Sequence, residues 1–268
     1  MKPEQDTPRL AFALLSRPAN VVIVVALVAV SLVAWIHTIA QANSMGDMAM
    51  GLGQLGYRGH GEMGSVAFVS MWITMMAAMM LPTIAPMVLA HHAVALRRYE
   101  GALSTLAFVA GYLLVWSAIS IAMLLAYSVF MQWDDNGSPP RWLHMVAGEM
   151  LVIAGAYQFS PWKRHCADMC RRPLAFVFKH DCRRGIRNAL AAGMTHGAYC
   201  LGCCGAAMIV LVVVGLMNPL WMTALFVLFF VEKNWKHGRA VANVAGIGLM
   251  VLGNAILVYQ PLLTAISN

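Results

Sequence analysis

The feature that most constrains this chain is a series of seven long apolar runs, separated by short polar segments. The runs cover residues 19–40, 66–90, 102–131, 142–160, 189–216, 219–233 and 240–260. Most approach the roughly 20 residues that a helix needs to cross a bilayer. Only 11% of the residues are charged, whereas a soluble domain carries roughly 25%. The sequence shows no series of segments of about ten residues in which polar and apolar residues alternate, as the strands of a membrane β-barrel require. The sequence therefore predicts an all-α, polytopic transmembrane helix bundle of about seven spans, forming one integral membrane domain over residues 1–268.

The positive charges lie on one side of this predicted bundle. Sixteen of the 18 Lys and Arg residues fall in the N-terminal segment and in every second connection after it; the other two are Arg58 and Arg141. By the positive-inside rule this places the N-terminus inside and the C-terminus outside, in a bacterial inner membrane. The basic residues that give the net charge of +7 are therefore expected to face the lipid bilayer, which is the predicted partner. No nucleic-acid partner is predicted.

Two connections are longer than the rest. Residues 41–65 are rich in Met and Gly and are predicted to form an outer loop, whereas residues 161–188 are basic, contain cysteines and are predicted to be cytoplasmic.

The first apolar run, residues 19–40, allows two interpretations. Its basic start and the small residues Ala40 and Ala42 resemble a signal peptide, but its length favours an uncleaved anchor.

The fifth apolar run contains THGAYCLGCCGAAM at residues 195–208. On a helical wheel His196, Cys200, Cys203 and Cys204 share an arc of about 100°. Thiolate and imidazole together suit Cu(I) or Zn(II). The alternative is that cysteine serves as a small buried hydrophobe beside glycines that let helices approach. Four potential ligands on one face, one of them an intramembrane histidine, favour a metal or redox site.

A second possible cluster lies in the predicted inner loop. It consists of His165, Cys166 and Cys170, with His180 and Cys182 further along. Basic residues nearby are expected to lower the pKa of these thiols and favour thiolate. The alternative is a polybasic loop that lies against lipid, with incidental cysteines.

Methionine dominates the stretch MWITMMAAMMLP at residues 71–82, where five of the chain's 21 methionines occur. All five fall in one half of a helical wheel, and Pro82 is expected to kink the helix just beyond them. A methionine stripe is usually core packing. A thioether is also a soft ligand for Cu(I) that survives oxidising conditions. The metal-ligand candidates here are Met75, Met76, Met79 and Met80.

The remaining charged residues of the runs give weaker signals. Glu149 is a carboxylate within the fourth run, which suggests an ion or proton role, with a hydrogen-bonded Glu between helices as the alternative. Glu232, Lys233 and Lys236 are expected to be an interface group at the inner end of the sixth run. No phosphate loop, HExxH or GxSxG motif occurs, so no catalytic residue is predicted and an enzyme is not favoured.

Two motifs resemble a family of bacterial integral membrane proteins that are predicted to bind metal and have no characterised function. They are YQxxPxKxxC at 157–166 and HGxYCxGCC at 196–204, supported by MNPLWM at 217–222 and WxxMMAAMMLP at 72–82. The similarity covers roughly residues 65–235. Many members carry an aromatic residue where this chain has Gly205. The resemblance implies a multi-span membrane protein that binds metal, without an assigned substrate.

Together these patterns predict an integral membrane protein that binds a soft transition metal, Cu(I) first and Zn second, for uptake, transfer or sensing. Metal-donor or metal-acceptor proteins are the expected partners. Two alternatives stay open: a membrane thiol-redox enzyme or assembly factor that uses the cysteines of the fifth run, and a structural subunit without metal.

Overall fold

The computed structural model describes residues 18–44, 65–132, 142–180, 185–216, 218–259 and 261–267. Within these ranges all regular elements are helices, which confirms the all-α prediction. They are α1 Pro18–Ser44, α2 Ser65–Met80, a 3-10 turn Pro82–Ile84, α3 Ala85–Arg97, α4 Ala102–Gln132, α5 Leu143–Tyr157, α6 Pro161–Arg171, α7 Pro173–His180, α8 Ile186–Val214, α9 Pro219–Asn234, α10 Gly238–Val258 and α11 Pro261–Ser267. Cys182 and nearly all of the predicted outer loop lie outside the described residues.

Four of the described helices are long and apolar enough to cross a membrane: most of α1, Ala102–Leu125 of α4, α8 and α10. Helices α2 and α3 make a fifth span if the pair, bent by 42°, is counted as one. The predicted fourth and sixth runs become α5 and α9, with 15 and 16 residues. Such helices are only about 22–24 Å long, less than the roughly 30 Å of bilayer hydrocarbon. Length therefore supports four or five spans, and seven spans with the N-terminus inside remain a prediction.

Proline, serine and glycine set several helix boundaries. The chain bends at the Pro82 turn between α2 and α3, which confirms the predicted kink. Helix α6 begins where the Ser160 hydroxyl accepts a hydrogen bond from the Lys163 backbone N–H at 3.1 Å, with Pro161 in the first turn. Such a cap satisfies one free N–H group at a helix start. Helix α8 ends at Gly215, whose φ of 123° is a conformation that favours glycine.

Helix α8 is the central helix of the bundle. In the most apolar 18-residue stretch of α8, 56% of the residues are buried, against 22–28% in the corresponding stretches of the other three long spans. It packs along α4, while α5 packs along α10. The α4–α8 approach depends on glycine, because a Cβ atom at Gly193 would collide with the Phe108 carbonyl, and one at Gly111 with the Leu190 carbonyl. Small residues at such crossings let two backbones come close. The cysteine-bearing helix is thus fixed in the middle of the fold.

The predicted inner loop contains two helices, α6 and α7, that are part of the bundle. On α7, Phe176 and Val177 are fully buried. Helix α6 packs against α8, and α7 packs against α3. This segment therefore brings its own side chains to the middle of the cysteine helix.

Candidate metal site

Three cysteines of α8 form a compact group. The Sγ atoms of Cys200, Cys203 and Cys204 lie within 4.8 Å of one another, and all three residues are buried. Cys203 Sγ is 3.2 Å from Cys204 Sγ. A metal ion bonded to sulfur at about 2.3 Å holds two sulfurs about 4 Å apart, so the group is compact enough to share one ion. In the part of the chain that the structure describes, this is the one group of three or more His, Cys, Asp or Glu side chains that could hold a metal.

A fourth thiol reaches this group from α6. Cys170 Sγ lies 3.8 Å from Cys203 Sγ. One turn earlier, the Cys166 sulfur lies directly against Gly202, where an added Cβ atom would be 2.6 Å from it. Both α6 cysteines are half-buried, whereas the three on α8 are buried. The thiols thus form a series from the surface of α6 to the interior of α8.

The second predicted cluster is divided by the fold. Its cysteines Cys166 and Cys170 join the thiols of α8, while His165 and His180 each lie against Tyr199, with ring centroids 6.0 and 5.7 Å from the tyrosine ring. Burial raises the pKa of the Cys166 thiol above its usual range. The expectation that basic neighbours lower this pKa is therefore wrong for Cys166, because loss of water favours the neutral thiol.

His196 is fully buried among aromatic rings, one turn before Cys200. Its ring centroid lies 5.7 Å from that of Tyr112 and 5.2 Å from that of Phe176. Its Nδ1 atom has no hydrogen-bond partner among the described residues. The compact group comprises the three cysteines and does not include this imidazole. A ligand role for His196 stays a prediction.

Cys200 has two polar neighbours that sequence reasoning missed. Lys233 Nζ on α9 lies 3.0 Å from Cys200 Sγ, and the Tyr112 hydroxyl on α4 lies 3.2 Å from the same sulfur. Lys233 also donates a hydrogen bond to the Thr83 hydroxyl at 3.2 Å, at the break between α2 and α3. The expectation that Lys233 is an interface charge is therefore wrong. Lys233 is the last residue of the sixth run and stands beside Glu232, so the sequence held no strong signal for this contact.

A buried ion pair connects α6 to α9. Lys163 Nζ lies 2.9 Å from Glu232 Oε1, and the two side chains are only 3% and 5% exposed. Lys163 also donates to the side-chain oxygen of Gln158. Tyr157 donates to the Gly202 carbonyl at 2.8 Å. The YQxxPxKxxC residues thus join the end of α5 to the cysteine helix and α6 to α9, and the expectation that Glu232 belongs to an interface group is wrong.

The outer face of α6 is held by exposed polar contacts. Arg239 at the start of α10 contacts both carboxylate oxygens of Asp168, at 2.7 and 2.8 Å. Arg171 donates to the backbone carbonyl of Trp235 at 2.8 Å and to that of Lys236 at 3.1 Å. Helix α6 is therefore attached to the α9–α10 connection on one side while its cysteines face α8.

The methionines of α2 are completely enclosed. All five have at most 1% of their surface exposed. Ala78 and Leu81, in the opposite half of the helix, are buried as well. Packing therefore accounts for their burial, and thioether ligation stays a prediction. The residues concerned are Met71, Met75, Met76, Met79 and Met80.

Glu149 lies on the exposed surface of α5. Its exposure argues against the alternative of a hydrogen-bonded carboxyl between helices. It is not a member of the compact cysteine group. An ion or proton role for Glu149 stays a prediction.

The helices and the buried thiols define a class: an all-helical protein with four or five candidate membrane spans and a cysteine group suited to a soft metal ion. A family model described as PpoB2, copper chaperone, matches residues 69–256. The match covers well over half of the chain, so the chain belongs to this copper chaperone family. The family is metal-related, as the resemblance in the sequence implied. No curated protein and no solved structure gives a significant match.

Proposed function

We propose that this protein carries Cu(I) as cargo on Cys200, Cys203 and Cys204, and transfers it to or from a partner protein through Cys170. The observation that carries the proposal is the buried three-thiol group in a chain of the copper chaperone family. Soft thiolates select Cu(I) over hard cations. Zn(II) is the alternative metal, since it also accepts thiolate ligands.

The difference in burial among the thiols supports a transfer role. The α8 cysteines are buried, while Cys166 and Cys170 on α6 are half-buried. A partner's thiolate can approach a half-buried sulfur more easily than a buried one. Because Cys170 is 3.8 Å from Cys203, an ion can pass between them by exchange of sulfur ligands, without leaving the protein.

Further ligands for the ion are proposed on α2 and at His196. Met75, Met76, Met79 and Met80 would offer Cu(I) weaker ligands on the way to the thiols, and His196 would add a nitrogen ligand. Thiolate binds Cu(I) more strongly than thioether does, so such a path runs downhill toward the cysteines. With the N-terminus inside a bacterial inner membrane, this direction corresponds to copper uptake.

The experiment is elemental analysis of the full chain, purified in detergent after growth with copper. The test variant carries Cys200→Ser with Cys203→Ser, and the control variant carries Cys182→Ser, a cysteine that the proposal does not use as a ligand. We expect the double variant to lose most of its copper, because a hydroxyl is a hard, poor ligand of similar size. The control should retain it. Unchanged copper in a folded double variant would exclude the site.

The thiol-redox alternative is favoured by one observation, the short distance between Cys170 and Cys203. Thiol titration separates the two functions. If the cysteines are ligands, Cu(I) protects them reversibly and a chelator restores all of them. If they are a redox pair, two thiols disappear on oxidation, return with a reductant and do not depend on copper.

A further inference from the structure

A positive charge lies beside the proposed copper ligands. The Lys233 ammonium is 3.0 Å from Cys200 Sγ and 3.2 Å from the Thr83 hydroxyl. Lys233 is half-buried near the end of α9. Any ion held by Cys200 must share that sulfur with this ammonium group.

We propose that Lys233 is a specificity-determining residue, whose fixed positive charge makes the cysteine group prefer the monovalent ion Cu(I) to the divalent ion Zn(II). This inference rests on the proposed metal-binding function of the cysteines. It adds a reason why a set of thiolates that suits both ions selects one of them.

The charge of Lys233 is not neutralised by the acidic residue next to it. Glu232 is paired instead with Lys163 on α6, at 2.9 Å. The ammonium is directed to Cys200 by Thr83 on one side, and the Tyr112 hydroxyl contacts the same sulfur at 3.2 Å. Because Glu232 is paired with Lys163, and because Thr83 at the helix break accepts a hydrogen bond from Lys233, the Lys233 charge acts on an ion bound by the cysteines.

Coulomb repulsion gives the preference its sign. An ion bonded to Cys200 Sγ at about 2.3 Å would lie roughly 4–5 Å from the ammonium nitrogen. Repulsion scales with the charge of the ion, so Zn(II) is repelled twice as strongly as Cu(I). At this separation and an effective dielectric constant of about 20, the extra repulsion corresponds to a factor of roughly several hundred in relative affinity. Competition from protons at the thiols cancels in the ratio at one pH when both ions bind the same three thiolates.

The experiment compares the Zn(II) and Cu(I) affinities of the full chain in detergent, by competition at a single pH. Lys233→Gln and Lys233→Leu remove the charge, Lys233→Arg keeps it, and Lys236→Gln removes an exposed charge three residues further on. We expect the Zn(II)-to-Cu(I) affinity ratio to rise roughly several hundred-fold in both neutral variants. It should stay near the wild-type value in Lys233→Arg and Lys236→Gln.

The outcomes separate this inference from the function on which it rests. Folded neutral variants with an unchanged ratio would overturn the role of Lys233 and leave copper binding standing. An equal change in Lys233→Arg would also overturn it, because geometry and not charge would then be responsible. Wild-type protein that binds no Cu(I) would overturn the proposed function itself. If Lys233→Leu does not fold, Lys233→Gln, which keeps a hydrogen-bond donor, decides the matter.

Discussion

The ion pair between Lys163 and Glu232 tests how α6 is held against the cysteine helix. Replacing Lys163 with Leu keeps the side-chain volume but removes the ammonium group. The Glu232 carboxylate, on a side chain that is 5% exposed, then loses its partner, and the Gln158 oxygen loses a donor. A buried charge without a partner is strongly unfavourable.

The magnitude follows from this burial. Breaking a buried pair by removing one partner costs about 3–5 kcal/mol, whereas replacing both partners with apolar residues is often close to neutral. We therefore expect Lys163→Leu and Glu232→Leu each to lower the free energy of unfolding by about 3–5 kcal/mol. The double variant should lie within about 1 kcal/mol of wild type, the residual cost being the hydrogen bond lost by Gln158.

The assay is equilibrium unfolding of each variant in mixed micelles with a chemical denaturant. The exposed pair of Arg239 and Asp168 supplies the control, since its side chains are 62% and 31% exposed. Asp168→Asn should cost less than about 1 kcal/mol, because water screens a surface pair. The reasoning is refuted if Lys163→Leu costs no more than Asp168→Asn, or if the double variant costs the sum of the two single ones.

Three further predictions follow from the helices around the cysteines. Met75→Leu with Met79→Leu should assemble normally, since the swap costs less than about 1.5 kcal/mol, but accumulate less Cu(I) in cells; unchanged copper accumulation would assign the methionines to packing. Gly202→Ala should weaken Cu(I) binding several-fold in a titration, because its Cβ atom would lie 2.6 Å from Cys166 Sγ and would push α6 away from the cysteine helix. The control is Gly205→Ala, whose Cβ atom meets only a flexible side chain of its own helix at 3.1 Å, and it should leave Cu(I) binding unchanged. A reporter fused after the C-terminus should be active outside the cell, and one between α6 and α7 inside; a cytoplasmic C-terminus would contradict the predicted orientation.

Local pattern was enough to predict the helices and one face of the site. The apolar runs predicted every long helix, because a chain in lipid must satisfy its own backbone hydrogen bonds. The period of the helix alone brings Cys200, Cys203 and Cys204 onto one face. Pro82 marked its kink for an equally local reason, since proline cannot continue the hydrogen bonding of a helix. The number of spans was harder to predict, because α5 and α9 are apolar but shorter than a bilayer.

The tertiary structure decided which distant residues join the cysteines. Cys170 reaches Cys203 across 33 residues of sequence, and Lys233 reaches Cys200 across the same separation. These contacts depend on close helix packing at glycines and on the buried ion pair between α6 and α9. No periodic pattern within one helix predicts contacts between different helices. A helical wheel describes one helix at a time, so it placed His196 with the thiols, whereas packing surrounds its ring with aromatic residues of α4 and α7. The sequence alone determined the face on which the thiols lie, and the packing of neighbouring helices determined the charge and the fourth sulfur beside them.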